Sequence, residues 1–246
     1  MHTIGIRFLP LLASALLWGC ASTADRADDA RTEYDPWEPF NRGVFAFNRG
    51  LDRALIRPLA KGYEFIVPTF ARRGVANFFD NLATPRSALN NFLQGQPGQG
   101  FNELGRFFFN STIGLGGLFD VAEAGGMPRF EEDFAQTLAV WGLPKGAYLM
   151  LPVFGPHTVL DTMALPVDIY SDLGVHIDSS SVRSKLHFLR VIDIRVRLLP
   201  VDKLLEDSAD PYITLRESYL QNREYEIYDG APPQDDDFYD EFLDLQ

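Results

Sequence analysis

The chain has 246 residues, a formal net charge of −12, 13% aromatic residues with twenty phenylalanines, and one cysteine. This length suffices for one large domain or two small ones. A balance this acidic argues against nucleic acid as a partner and gives little attraction to anionic lipid head groups, and a lone cysteine excludes an intramolecular disulfide.

In chain order, residues 1–19 read as an export signal: Arg7 precedes an apolar stretch, Phe8 to Trp18, broken only by Pro10, Ala13 and Ser14. It has the n-region and h-region of a secretory peptide and is short for a membrane span. It ends Leu17-Trp18-Gly19-Cys20, which resembles the lipobox of bacterial lipoproteins. The alternative for Cys20 is a buried or free thiol, but a cysteine placed directly after a signal reads as a lipidation site. By that resemblance Cys20 becomes the first mature residue and carries a diacylglycerol thioether and an N-acyl chain. At about 0.8 kcal/mol per buried methylene, three chains hold a protein at a membrane. Lipoproteins retained at the inner membrane have Asp after the cysteine; here it is Ala21, so the expected location is the outer membrane, on its periplasmic side. Residues 20–34, with Asp25, Asp28, Asp29 and Glu33, are expected to be a flexible tether, and order to begin at Asp35-Pro36-Trp37.

The signals that follow are mostly helical. Phe40, Val44, Phe47, Leu51 and Leu55 recur at three- and four-residue steps as one apolar stripe. Thr84-Pro85 predicts the start of a short helix, with Leu89 and Phe92 on one side and Gly95 closing it. Ile113 to Met127 mixes apolar residues with Gly114, Gly116, Gly117, Gly125 and Gly126. Glycine costs up to about 1 kcal/mol per residue inside a helix. The segment therefore reads either as a loop with tight backbone packing or as an adjustable apolar element beside a pocket or pore.

Asp133 with Gln136 resembles a capping box ahead of Phe134, Leu138 and Trp141 on one face, with Gly142 as the stop. Val182 to Leu199 fits a helix through Val182, Leu186 and Leu189, and a strand through the alternation Ile192, Ile194, Val196, Leu198. Its helical neighbours favour helix. Asp210-Pro211 starts another helix, with Tyr212, Leu215 and Tyr219 aligned, ending by Gly230. Residues 231–246, with Pro232, Pro233 and Asp235 to Asp237, read as an acidic disordered tail, and the spacing of a calcium loop is missing there. After the signal no apolar run reaches eighteen residues, so the sequence predicts no conventional membrane-spanning helix.

Catalytic patterns find little support. His157, His176 and His187 are scattered, and neither an HExxH zinc pattern nor a GxSxG elbow occurs. His176, Asp178 and Ser179 are sequence neighbours, which reads as a surface turn rather than a triad. The reading is of a protein that is not an enzyme and has no cofactor beyond the covalent lipid on Cys20.

Asp35-Pro36-Trp37-Glu38-Pro39-Phe40-Asn41-Arg42, then Phe45 and Phe47-Asn48, resembles the opening block of the MlaA (VacJ) lipoproteins. The likeness continues through Asn77-Phe78-Phe79-Asp80-Asn81-Leu82, Asn90 to Gln94-Gly95, Gly105-Arg106-Phe107 and Asn110-Ser111-Thr112-Ile113-Gly114. Gly117 to Ala122, Asp133-Phe134, Gln136-Thr137-Leu138, Trp141-Gly142, Leu151-Pro152 through Gly155-Pro156, Asp210-Pro211-Tyr212 and Tyr228-Asp229-Gly230 complete a match over residues 35–230. Ala135, where the family has glycine, with Ala139 and His157, are mild departures.

The resemblance implies an all-α single domain over 35–230, its amphipathic helices forming a membrane-embedded ring with a central channel. It further implies removal of mislocalised phospholipids from the outer leaflet, delivery to a soluble periplasmic carrier (MlaC-like), and association with a trimeric porin in the outer membrane. Within that picture Asn77, Phe78, Phe79, Gly114, Gly116, Gly117, Leu118 and Phe119 are the candidate channel wall or gate. The alternative is a porin-associated structural lipoprotein that moves no lipid.

Overall fold

A computed structural model describes residues 34–232. The signal, Cys20, the tether up to residue 33 and the tail from residue 233 lie outside the described residues.

The architecture is helical. Helix α1 (Glu38–Leu51) runs through a π turn (Asp52–Ile56) into α2 (Arg57–Ile66). The long α3 (Thr69–Leu93) and α4 (Pro97–Thr112) follow, then a glycine turn and the single-turn α5 (Val121–Ala124). Helix α6 (Phe134–Val140) precedes a hairpin of β1 (Tyr148–Leu151) and β2 (Gly155–Thr158). The described residues end with α7 (Val159–Ser171), α8 (Ser180–Leu198), α9 (Asp202–Asp207) and α10 (Pro211–Ile227). Helix α3 packs along α4 and also meets α7 and α8, while α10 touches α6 and β2.

Most of the expected elements are present. Asp133 and Gln136 close a full capping box on α6, and Gly142 beyond it has φ +94°. Asp210 caps α10 through the backbone N–H groups of Tyr212 and Ile213. The ambiguous 182–199 stretch is helix. Two readings are corrected, and one element is new. Thr84-Pro85 does not begin a helix but sits inside α3. A proline costs the interior one hydrogen bond, here the one to the Asn81 carbonyl, and packing on α4 carries the helix through. Trp141, the C-cap of α6, does not join Phe134 and Leu138 in their packing but is exposed, its indole N–H donating to the Leu93 carbonyl. The hairpin, with Tyr148 opposite Thr158 and Leu151 opposite Gly155, had no strand signal in the sequence.

The distribution of polarity is inverted. Among the described residues, buried polar and charged side chains outnumber buried apolar ones. The stripe read on α1 is split: Phe40 and Phe47 are exposed, Val44 packs on the cluster around Tyr148 and Tyr212, and Asn41 is fully buried. Asn41 donates to Asp35 at 2.7 Å and to the Tyr148 carbonyl at 3.2 Å, and accepts from Met150 N–H at 2.8 Å. One turn-pair later, Asn48 brackets the hairpin bend through Leu151 and Val153. Helix α4 repeats the scheme. Glu103, Arg106 and Asn110 are buried, whereas Phe101 and Phe108 are 67% and 62% exposed. The two apolar clusters are small: α6 against α7 around Ala135, Leu160 and Ala164, and the hairpin against α10 around Tyr148, Met150 and Tyr212.

Candidate functional site

Helices α3, α4 and α8 and the 120–131 segment surround a polar cavity of about 390 Å³. Its walls follow from the inverted pattern, because the buried faces of these helices are the polar ones. Helix α3 contributes Asn77, Asp80, Asn81, Ala83, Thr84, Arg86 and Ser87, and α4 contributes Glu103, Arg106 and Asn110. Asp120, Arg129 and Glu131 come from the loop, and Arg190, Ile194, Arg197 and Leu198 from α8.

Two carboxylates organise the arginines. Asp120 accepts from Arg106 at 2.8 Å, Arg129 at 2.7 Å and Asn110 at 2.9 Å while capping α5 through Glu123 N–H. Burial alone would raise the Asp120 carboxyl, but these donors outweigh it and hold the group well below the usual carboxylate range. Asp80 receives Arg129 at 3.1 Å and Arg197 at 3.4 Å. Arg197 also reaches the buried Asp193 at 3.0 Å. Glu103 accepts the Phe130 N–H at 2.9 Å and lies 3.8 Å from Arg106, yet burial pushes its carboxyl up. Arg86 is more weakly held, its nearest carboxylate being Asp168 at 3.9 Å. The cavity is therefore a polar chamber whose fixed charges are paired but shared, suited to receiving an ionic group without stranding a charge.

Of the residues singled out in the sequence, Asn77 lines the cavity and donates to the Leu118 carbonyl at 3.3 Å. Phe79 is buried behind the wall, edge-on to Phe78 and 5.7 Å from the Arg190 guanidinium. The glycine turn backs the wall from outside. A Cβ on Gly117 (φ +90°) would lie 2.6 Å from the Asn81 side chain, and one on Gly114 would meet the Phe119 and Asn110 carbonyl oxygens. Gly116 adopts φ +72° in the same turn, and Leu118 and Phe119 are exposed outward. The turn thus lets α3 and the end of α4 approach closely enough to close the wall. Sequence reading missed the charged lining. Its signal was available in α4, where Glu103, Arg106 and Asn110 recur at three- and four-residue steps opposite Phe101, Leu104 and Phe108.

The outer surface complements this interior. Phe65 is 92% exposed, and Phe70, Phe101, Phe108, Ile113, Leu115 and Met163 are exposed as well. Leaving such a side chain in water forgoes about 1.5–3 kcal/mol, so a surface carrying many of them is suited to contact with a membrane or another protein. Among the described residues no helix is long and apolar enough to cross a membrane. The fold and site define a class: a helical protein with an apolar exterior and a polar chamber within.

The family described as MlaA lipoprotein matches residues 33–226. The chain is 38% identical over 220 residues to the intermembrane phospholipid transport system lipoprotein MlaA of Shigella flexneri, covering 87% of this chain and 85% of that protein. It is 32% identical over 224 residues to the protein of the same name in Haemophilus influenzae, with 89% of each covered. A solved structure concerned with the structural basis for maintenance of bacterial outer membrane lipid asymmetry superposes with a TM-score of 0.70 at 36% identity, covering 78% of this chain and 98% of that one. The chain belongs to the MlaA lipoprotein family.

Proposed function

We propose that this protein is an outer-membrane lipoprotein that removes mislocalised phospholipids from the outer leaflet and passes them inward to a soluble periplasmic carrier. The observation that carries the reading is the pairing of a polar, arginine-lined cavity with an apolar outer surface. A phospholipid needs a polar route for its head group, because charge in hydrocarbon costs several kcal/mol, and apolar contact for its tails. Amphipathic helices that turn phenylalanines outward can lie in a leaflet without a span. The names of the relatives in Shigella and Haemophilus, and the lipid-asymmetry context of the solved structure, support the same activity.

In this reading Cys20 carries the covalent lipid, the protein sits on the periplasmic side of the outer membrane beside a trimeric porin, and neither cofactor nor catalysis is involved. The direction of transfer comes from the relative affinities of membrane, chamber and carrier. Deleting the gene should raise phospholipid in the outer leaflet and sensitise cells to detergent. Unchanged surface phospholipid in a clean deletion would overturn the proposal and leave a porin-associated scaffold.

A further inference from the structure

Resting on the lipid-transfer reading above, we propose that Asp80, Arg129 and Arg197 form a head-group exchange site that favours a zwitterionic aminoalkyl phosphodiester over an anionic one. The two arginines come from different elements, the loop after α5 and helix α8, and converge on one carboxylate of α3 at 3.1 and 3.4 Å. Their side chains, like that of Asp80, are 29–45% exposed, so the pairs open to the cavity. The other organising carboxylate, Asp120, has a side chain only 6% exposed and four donors, and it keeps Arg129 in place when Asp80 lets go. A phosphodiester carries one negative charge on two oxygens, as a carboxylate does, and fits between two guanidinium groups.

Once phosphate takes both arginines, Asp80 faces that phosphate and needs a cation of its own. A primary ammonium on the same head group supplies it. Beside Asp80, Asn81 is 4% exposed, lines the cavity, donates through Nδ2 to Ser111, and has an Oδ1 with no hydrogen-bond partner among the described residues. That oxygen is a buried acceptor with no partner, set in the cavity wall next to Asp80. A glycerol head group brings no cation, so the exchange leaves two like charges adjacent, which disfavours it.

The test measures transfer of phosphatidylethanolamine, phosphatidylglycerol and diacylglycerol from vesicles to acceptor vesicles by the full-length lipidated protein and its variants. The wild type is expected to move phosphatidylethanolamine about fivefold faster than phosphatidylglycerol, the discrimination one partly exposed ion pair supplies. Asp80→Asn, which keeps the shape and removes the charge, should bring the ratio near one by accelerating phosphatidylglycerol, and should leave diacylglycerol unchanged. Arg197→Gln should slow both phospholipids alike. The preference should persist in inorganic phosphate buffer; its loss there would mark a site for the free anion and overturn the proposal. A wild-type ratio retained by Asp80→Asn would overturn it equally. If the wild type moved no lipid at all, the transport reading itself would fall, a result distinguishable from any change in ratio.

Discussion

Arg223→Met tests whether the inverted interior is held by its ion pairs. The Arg223 side chain is 8% exposed and reaches Asp133 at 2.6 and 2.7 Å, Asp161 at 2.8 Å and Glu226 at 3.0 Å, tying α10 to α6 and α7. Asp161 is 9% exposed and also accepts from Thr158 and Tyr219. Methionine fills most of the volume but strands a buried carboxylate, a loss of about 3–5 kcal/mol. For a domain of this size that corresponds to a fall in Tm of roughly 10 °C. The pH dependence fixes the sign. Burial would raise the Asp161 carboxyl, but Arg223, Tyr219 and Thr158 together hold it below its ordinary 3.8. Its stabilisation is therefore present above that value and lost as pH falls through the lower folded one. In the variant the carboxyl takes up its proton at a higher pH, so the deficit is greatest at neutral pH and shrinks toward pH 4. Unfolding in detergent micelles followed by circular dichroism at both pH values measures it. A Tm at pH 7 within about 2 °C of wild type, or a deficit that grows on acidification, would show that the Arg223 ion pairs do not hold the interior together.

Glu132→Gln should flatten the pH dependence of stability. Burial, with Asp229 and Asp133 nearby and against the hydrogen bond from Gln94, raises Glu132 from its ordinary 4.5 to about 7. The folded state then holds this proton more tightly than the unfolded chain, so stability falls as pH rises from 4.5 to about 7, by up to about 3 kcal/mol. Equal slopes for wild type and variant between those limits would contradict this. Gly114→Ala should lower Tm by several degrees, because its Cβ meets the Phe119 and Asn110 carbonyl oxygens. Gly43→Ala in α1 has open space around the new Cβ and should be neutral or raise stability by up to about 1 kcal/mol. Similar Tm values for the two alanine variants would show that the glycine turn is not closely packed.

Local chemistry made much of the fold legible. Asp133, Asp210 and Gly142 act where their side-chain and backbone preferences put them, because caps and positive φ are decided within a few residues. Pro85 misled, since its cost is smaller than the packing of α3 along α4. The hairpin was hidden for a related reason: its strands are four residues each and are held by Asn41 and Asn48, more than a hundred residues away. The candidate site was legible only at Asn77. Aromatic and glycine-rich blocks drew the eye to the wall and its outer surface, while the charged lining depends on which face of each helix turns inward. In a water-soluble domain the apolar stripe of α1 would face the core, and here Phe40, Phe47 and Leu55 of that stripe face out while Val44 packs inside. Arg129, Asp80 and Arg197 meet only through the tertiary fold.

Blocking the polar cavity tests most directly whether phospholipid passes through it. Ala83 lines the cavity, whereas Leu104 is exposed on the outer face of α4. Phospholipid transfer from vesicles to the soluble carrier should collapse for Ala83→Trp, whose bulk narrows the cavity, and continue at the wild-type rate for Leu104→Trp, with both variants folded and membrane-bound. Wild-type transfer by Ala83→Trp would mean that the lipid travels by another route.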